Sequence, residues 1–172
     1  HAPSSQALLE AAQRRISFEE FFIFSAGLQL CKARRAGRTK APFAETDLSA
    51  FYAALPFALT GAQRRVIGEI LQDFTQGRPM CRLVQGDVGS GKTMVAAAAI
   101  VCAAKNGVQS ALLVPTEILA EQHFQSLAPL FERLGLRCGQ LTGSQKVSEK
   151  RALRAALQAG ELDVVIGTHA LL

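Results

Sequence analysis

Eight residues limit this chain more than any others. Gly86-Asp87-Val88-Gly89-Ser90-Gly91-Lys92-Thr93 fits the P-loop pattern G-x-x-x-x-G-K-[ST] at every fixed position. Glycines allow backbone angles that other residues resist, so successive N–H groups can turn inward on phosphate oxygens. Lys92 then brings a point charge to the phosphates of a nucleotide, and the Thr93 hydroxyl, just inside the next helix, suits a hexacoordinate Mg2+. Such a loop needs a strand before it and a helix after it. The apolar run at 80–85 predicts the strand; the Ala-rich stretch 93–106, closed by Gly107 as a C-cap, predicts the helix.

From residue 61 onward helix and strand patterns alternate. Residues 61–76 read as a helix, with Val66, Ile67, Ile70, Leu71 and Phe74 at three- and four-residue spacing. Beyond the P-loop unit come a strand at 110–114, a helix at 117–134, a strand at 137–141, a helix at 148–159 and a strand at 163–166. Repeats of this length predict an α/β fold with a parallel sheet covered on both faces. At 172 residues and 49% hydrophobic, the chain can bury one good core and a small appendage. Ligands of such sheets bind beyond the strand C-termini, so the loops after the strands are where function is expected.

The first 54 residues have a different texture. Residues 1–6 show no periodicity. A helical pattern begins at Leu8, and the S-x-x-E form of Ser17-Phe18-Glu19-Glu20 predicts a helix boundary near Ser17, unless one helix runs through from Ala7. Phe18, Phe21, Phe22, Phe24, Leu28 and Leu30 make the following run apolar over much of its circumference, so it must pack on something larger than itself. Lys32, Arg34, Arg35, Arg38 and Lys40 come next. They are either helix C-terminal charges leading into a solvated linker or contacts to a phosphate backbone. Residues 45–54 form another amphipathic helix.

Net charge is +5, and residues 1–40 hold seven basic against three acidic side chains. A nucleic-acid footprint is therefore concentrated at the N-terminal end or made by local backbone contacts elsewhere. No apolar run approaches the roughly 20 residues needed to span a bilayer, and no basic-then-apolar leader opens the chain, so the expectation is a cytoplasmic protein with no membrane partner. Cys31, Cys81, Cys102 and Cys138 are widely spaced, without a C-x-x-C pair, and read as reduced buried thiols rather than metal ligands or disulfides.

The loops after the strands hold a series of motifs. Upstream of the P-loop stands Leu55-Pro56-Phe57-Ala58-Leu59-Thr60-Gly61-Ala62-Gln63, where the Gln63 amide suits the N6/N7 edge of adenine and Phe57 offers a face for stacking. Pro115-Thr116-Glu117-Ile118-Leu119-Ala120-Glu121-Gln122-His123 follows the next strand. Leu141-Thr142-Gly143-Ser144 and Gly167-Thr168-His169-Ala170 follow the last two. His123, in mid-helix, reads as an ordinary helix-face residue.

This succession, from Leu55 to the end of the chain, resembles the first motor domain of superfamily-two helicases, an incomplete RecA-like P-loop NTPase domain preceded by an α-helical segment. Its detailed wording is most similar to the RecG family of bacterial branched-DNA helicases, with transcription-repair coupling factors as the nearest look-alike. The resemblance implies a helical lead-in over 1–54 and the N-terminal part of the motor over 55–172. It implies ATP and Mg2+ as cofactors, held by Phe57, Gln63 and the whole of Gly86, Asp87, Val88, Gly89, Ser90, Gly91, Lys92 and Thr93. It also implies Lys92 and Thr93 as the catalytic pair, with Thr93 on the metal.

It implies forked or branched duplex DNA as partner, with Thr116, Thr142, Gly143, Thr168 and His169 along a strand whose phosphates they contact without reading sequence. Thr116 and Thr168 also suit N-capping of the helices they precede. The parent would be a monomeric enzyme of fork and Holliday-junction remodelling in DNA repair and recombination. A Walker B Asp-Glu and an arginine finger, which such motors need, are not among these 172 residues. The expectation is that this stretch alone binds nucleotide but neither hydrolyses it at a useful rate nor unwinds DNA. The rival from another class is a non-catalytic nucleotide-binding module.

Overall fold

The structure is a computed structural model whose described residues are 5–36 and 39–171. Most of the opening stretch 1–6 lies outside them, as do Arg38 and the side chains of Lys32, Arg34 and Arg35, and with them the expectation for the basic cluster. The chain divides into two compact units. One holds the stretch up to Ala41 with Gly77–Pro79, the other Pro42–Gln76 and everything from Met80 onward.

The first unit is dominated by α1, Gln6–Ala36, a single helix of 31 residues. It passes through Ser17 without interruption, so the boundary expected there is absent and the continuous helix forms. A capping box needs a cap residue in non-helical geometry, while the Glu, Ala, Gln and Arg residues before Ser17 and the glutamates after it favour continuation. Arg15 and Glu19 pair at 3.1 Å one turn apart, and the rings of Phe18 and Phe22 stack with centroids 5.9 Å apart. Phe18, Phe21, Phe22 and Phe24 are 62–72% exposed, so the described residues of this unit do not themselves cover the apolar run.

The second unit is built on α4, Lys92–Lys105, whose Val95, Ala97, Ala98, Ile100, Val101, Cys102 and Ala103 are all buried. A helix apolar all round belongs in the middle of a core. Helix α3, Gly61–Phe74, packs Ile67 and Ile70 into the same core, and the short α2, Ser49–Ala54, which begins four residues later than the 45–54 pattern predicts, adds Phe51. Helix α4 ends as the sequence predicts: Gly107 takes φ +70°, and the N–H groups of Gly107 and Val108 return to the carbonyls of Ala104 and Ala103. Asn106, the cap residue, ties this end to the segment before α2. Its Oδ1 accepts from the N–H groups of Ala44 (2.9 Å) and Glu45 (3.1 Å), and its Nδ2 donates to the carbonyls of Glu45 (2.7 Å) and Cys102 (2.8 Å).

Strands β1 (Ser110–Leu113), β2 (Cys138–Leu141) and β3 (Val164–Gly167) form a parallel sheet in the order β1-β3-β2. Helix α5, Glu117–Arg133, connects β1 to β2 and lies against β2 and β3; α6, Val147–Gln158, connects β2 to β3 and lies against β2. Successive strand residues point to opposite faces. Val164, Val165 and Ile166 are nevertheless all at most 4% exposed, so the sheet is covered on both sides at its centre.

The strand expected at 80–85 is not formed. Met80 and Val84 pack against the core from this stretch, yet no described strand pairs with it, and Leu83 is 86% exposed. An extended segment becomes a strand only with a neighbour to receive its N–H and C=O groups. Arg82 holds the segment instead, with its Nη1 2.7 Å from Glu69 and its Nε 2.8 Å from Asp73, both on α3. The two carboxylates, Asp73 first, raise the Arg82 pKa.

The cysteines also divide. Cys102 is buried and Cys138 half-buried, its thiol pushed up by burial to about 11, whereas Cys31 and Cys81 are exposed because α1 and the 80–85 segment leave their surfaces open. No described helix is long and apolar enough to cross a membrane.

Replacing Asn106 by Ala removes four hydrogen bonds across two segments, and a loss of roughly 1–3 kcal/mol in urea unfolding is expected. Arg137 clasps Asp163 and holds that carboxyl below the ordinary range. A depressed carboxyl contributes stability that is present above about pH 4 and lost as pH falls through its folded value. Arg137→Gln is therefore expected to be less stable than the parent at pH 7, the gap closing below pH 4.

Candidate functional site

The P-loop geometry is set by two glycines. Gly89 and Gly91 both take φ +77°, and Gly91 is the N-terminal cap of α4. A side chain is resisted at Gly91 for a second reason, since a Cβ there would run into Nε2 of Gln63; at Gly86 a Cβ would come within 2.7 Å of the Ser90 Oγ. The loop is thus closely wrapped, and a side chain at either position would displace Ser90 or Gln63. Lys92, the first residue of α4, turns its Nζ back into the loop and donates to the carbonyls of Gly86 (2.8 Å) and Asp87 (2.7 Å) and, more distantly, to Ser90 Oγ (3.4 Å). The Val88 N–H is held by the Asp87 carboxylate at 2.9 Å.

Gln63 has a position the adenine reading did not include. It is the third residue of α3, and with the cap residue Thr60 it completes a capping box: Thr60 N–H donates to Gln63 Oε1 at 2.8 Å, and Gln63 N–H donates to Thr60 Oγ1 at 3.2 Å. The signal was in the sequence as T-x-x-Q. The other end of the amide crosses to the P-loop, where Nε2 donates to the carbonyl of Ser90 at 2.9 Å. Gln63, Gly86, Ser90 and Lys92 line one cleft of about 320 Å3, while Phe57, 52% exposed, is not in its wall.

The loops after β1, β2 and β3 leave one edge of the sheet, because the strands are parallel and in register. Thr116 is exposed and caps α5, accepting from the Leu119 N–H at 3.3 Å. Thr142 and Thr168 are only 5% and 9% exposed, so these two loops present chiefly Gly143 and His169. His169 begins a three-residue 3-10 turn, His169–Leu171.

Glu117 joins the first two loops. Its Oε1 accepts from the Ser144 N–H at 2.9 Å and lies where a Cβ on Gly143 would come within 2.7 Å of it. Ser144, through its side chain and then its backbone, holds this carboxyl below the usual range against the opposing effect of burial; the Gly143 N–H and the Lys150 charge assist. Gln145 accepts from the Thr142 N–H at 3.0 Å, and Lys150 Nζ donates to the Gly143 carbonyl. Sequence reading gave no role to Glu117, although it stands inside the Pro115–His123 motif, or to Gln145 and Lys150, because the bonds that give them one join loops brought together only by the fold.

This arrangement has counterparts. Over its whole length the chain is 46% identical to the ATP-dependent DNA helicase RecG of Synechocystis sp. and 45% identical to that of Bacillus subtilis, of which it covers 21% and 26%. A solved structure of RecG bound to a three-way DNA junction superposes with a TM-score of 0.84 at 41% identity, over 99% of this chain and 24% of that one. A hypothetical ATP-dependent RNA helicase from Sulfolobus tokodaii shares the fold, with a TM-score of 0.53 at 20% identity over 70% of the chain. The chain spans about a quarter of the length of the RecG proteins it matches. The DEAD/DEAH box helicase model matches residues 60–172, well over half of the chain. The chain therefore belongs to the DEAD/DEAH box helicase family.

Proposed function

We propose that this chain is the ATP-binding part of a RecG-type DNA helicase, residues 55–172 contributing to the first motor domain and 1–54 forming the helical lead-in. The observation that carries the reading is the closely wrapped loop of Gly86–Thr93 at the head of α4, bridged by Gln63, beside a parallel sheet whose own loops open along one edge. Left-handed glycines and a cradle that a Cβ would fill are what a phosphate chain requires. The loop backbone and Lys92 would hold the phosphates, Thr93 the Mg2+, and Gln63 and Phe57 the adenine. A bound Mg·ATP supplies the phosphoryl group whose transfer to water powers translocation.

In this reading Thr116, Thr142, Gly143, Thr168 and His169 follow one DNA strand. Gly143 and His169 make direct contact, while the buried Thr142 and Thr168 shape the loops that do so. The whole protein works as a monomer in the cytoplasm on forked or branched duplex DNA, remodelling replication forks and Holliday junctions in repair and recombination. ATP turnover and unwinding belong to that whole protein, not to residues 1–172 alone.

Binding of ATP with Mg2+ is the direct test. Lys92→Ala is expected to weaken nucleotide affinity at least tenfold, read by calorimetry, while circular dichroism stays unchanged because the Lys92 bonds are confined to its own loop. Equal affinities for parent and variant would sink the assignment. Gln63→Ala is expected to weaken ATP more than inorganic triphosphate; an equal loss for both would make Gln63 a support of the loop and not a reader of the base.

A further inference from the structure

The N-terminal end of helix α6 departs from a local preference. That end of a helix has a partial positive charge and favours acidic side chains, and α6 meets this with Glu149 in its first turn but has Lys146 as its cap residue, with Lys150, Arg151 and Arg154 following. Its one acidic residue, Glu149, is engaged at home, accepting from the Lys146 N–H at 3.2 Å. Places where a sequence breaks a local stability rule are often places where function is served. The opposite side of the helix is ordinary: Leu153 reaches toward Gly139 of β2, where a Cβ would meet its Cδ1 at 3.1 Å. The outward stripe Val147, Lys150, Arg151, Arg154, Ala155 and Gln158 follows helical spacing and lines an open, shallow concavity.

Two of these basic side chains are already fastened to the loops in question. Lys150 Nζ donates to the carbonyl of Gly143, and Arg154 Nη2 donates to the carbonyl of Ala170 at 3.1 Å. Each bond takes one N–H of an ammonium that has three or a guanidinium that has five. The cations are thereby held beside both loop ends, one turn apart on one helix face, about 5–6 Å between their Cβ atoms.

We propose that Lys150, Arg151 and Arg154 make α6 a further DNA-backbone contact, continuing the line of the Thr142–Ser144 and Thr168–Ala170 loops onto the helix and binding phosphates irrespective of sequence. The inference rests on the reading that those loops meet DNA. Electrostatic complementarity selects the occupant, since the stripe has three cations and no anion. Sequence-independent phosphate binding is the ordinary work of Lys and Arg on duplex DNA.

The test measures affinity of the full-length protein for a forked duplex by fluorescence anisotropy across a range of salt concentrations. Each phosphate contact contributes about 0.9 to the slope of log affinity against log salt. The triple variant Lys150→Gln, Arg151→Gln, Arg154→Gln is expected to bind at least tenfold more weakly near 0.1 M salt and to lose about two to three units of slope, with ATP affinity unchanged. The charge-conserving variant Lys150→Arg, Arg154→Lys should keep the slope.

A weaker affinity with an unaltered slope would mean damaged loops rather than lost phosphate contacts, and would overturn the proposal. So would an unchanged DNA affinity accompanied by loss of binding to an acidic polypeptide such as polyglutamate, which would make the stripe a protein-docking face. His169→Ala and Gly143→Val, measured alongside, isolate the loops. If they weaken DNA binding while the triple variant leaves the slope intact, the α6 assignment falls and the loop reading stands. If the triple variant loses slope while they have no effect, α6 stands and the loops fall.

Discussion

The central strand of the sheet determines where everything else can be. Val164-Val165-Ile166 has no polar side chain for either face, so β3 can exist only between two neighbours and beneath helices on both sides. Its register then sets theirs: Gly167 stands level with Leu113 of β1 and with Leu141 of β2. Three chain segments consequently leave the sheet at one height, and Thr116, Gly143 and His169, scattered over more than fifty residues of sequence, come to one edge. The bonds that cross between these segments, Val114 N–H to the Gly167 carbonyl and Thr168 N–H to the Leu141 carbonyl, extend the ladder into the loops. The edge is therefore stiff, which suits the phosphate-backbone contact proposed for it.

The P-loop is arranged on a different principle, with its polar groups satisfied by one another. The Lys92 ammonium is bonded to two loop carbonyls, the Val88 N–H to Asp87, and the Gln63 amide to both Thr60 and Ser90. A triphosphate entering such a loop exchanges bonds rather than adding them, so net affinity is far below the sum of its contacts. Gln63 is the point where the exchange reaches beyond the loop, because any rotation of its amide toward a base gives up either the α3 cap or the Ser90 carbonyl. On the proposed adenine reading, base recognition and loop shape would be coupled through this one side chain.

What was legible in the sequence follows from the range of each interaction. Helices α3 to α6 and the three paired strands were read to within one or two residues, because apolar spacing and closing glycines such as Gly107 are local. The P-loop was legible for the same reason, with all eight residues consecutive. The strand at 80–85 was misread because its apolar run is a local fact and its pairing is not. Ser17 misled through the opposite fault: a local capping signal lost to the helix-forming residues around it. Glu117 and Lys150 could not be found by spacing at all, since their partners Ser144 and Gly143 become neighbours only after β1 and β2 have aligned on β3.

Helices α3 and α6 show how the same capping device serves different ends. In both, the side chain at the third position accepts from the N–H of the cap residue. In α3 the box is completed by Thr60 with Gln63, and the free end of the glutamine is aimed at the P-loop. In α6 only this half forms, because the Lys146 ammonium has no acceptor to return, and its cation adds to the unfavourable end of the helix. That placement makes no contribution to helix stability that Ser or Asp would not make better. It does raise the positive potential where β2 delivers the chain to the Thr142–Ser144 loop, and it does so with residues rooted in a helix. A charged stripe on a rigid element keeps its spacing when a polyanion arrives, whereas the same charges on a loop would have to be ordered by the binding itself.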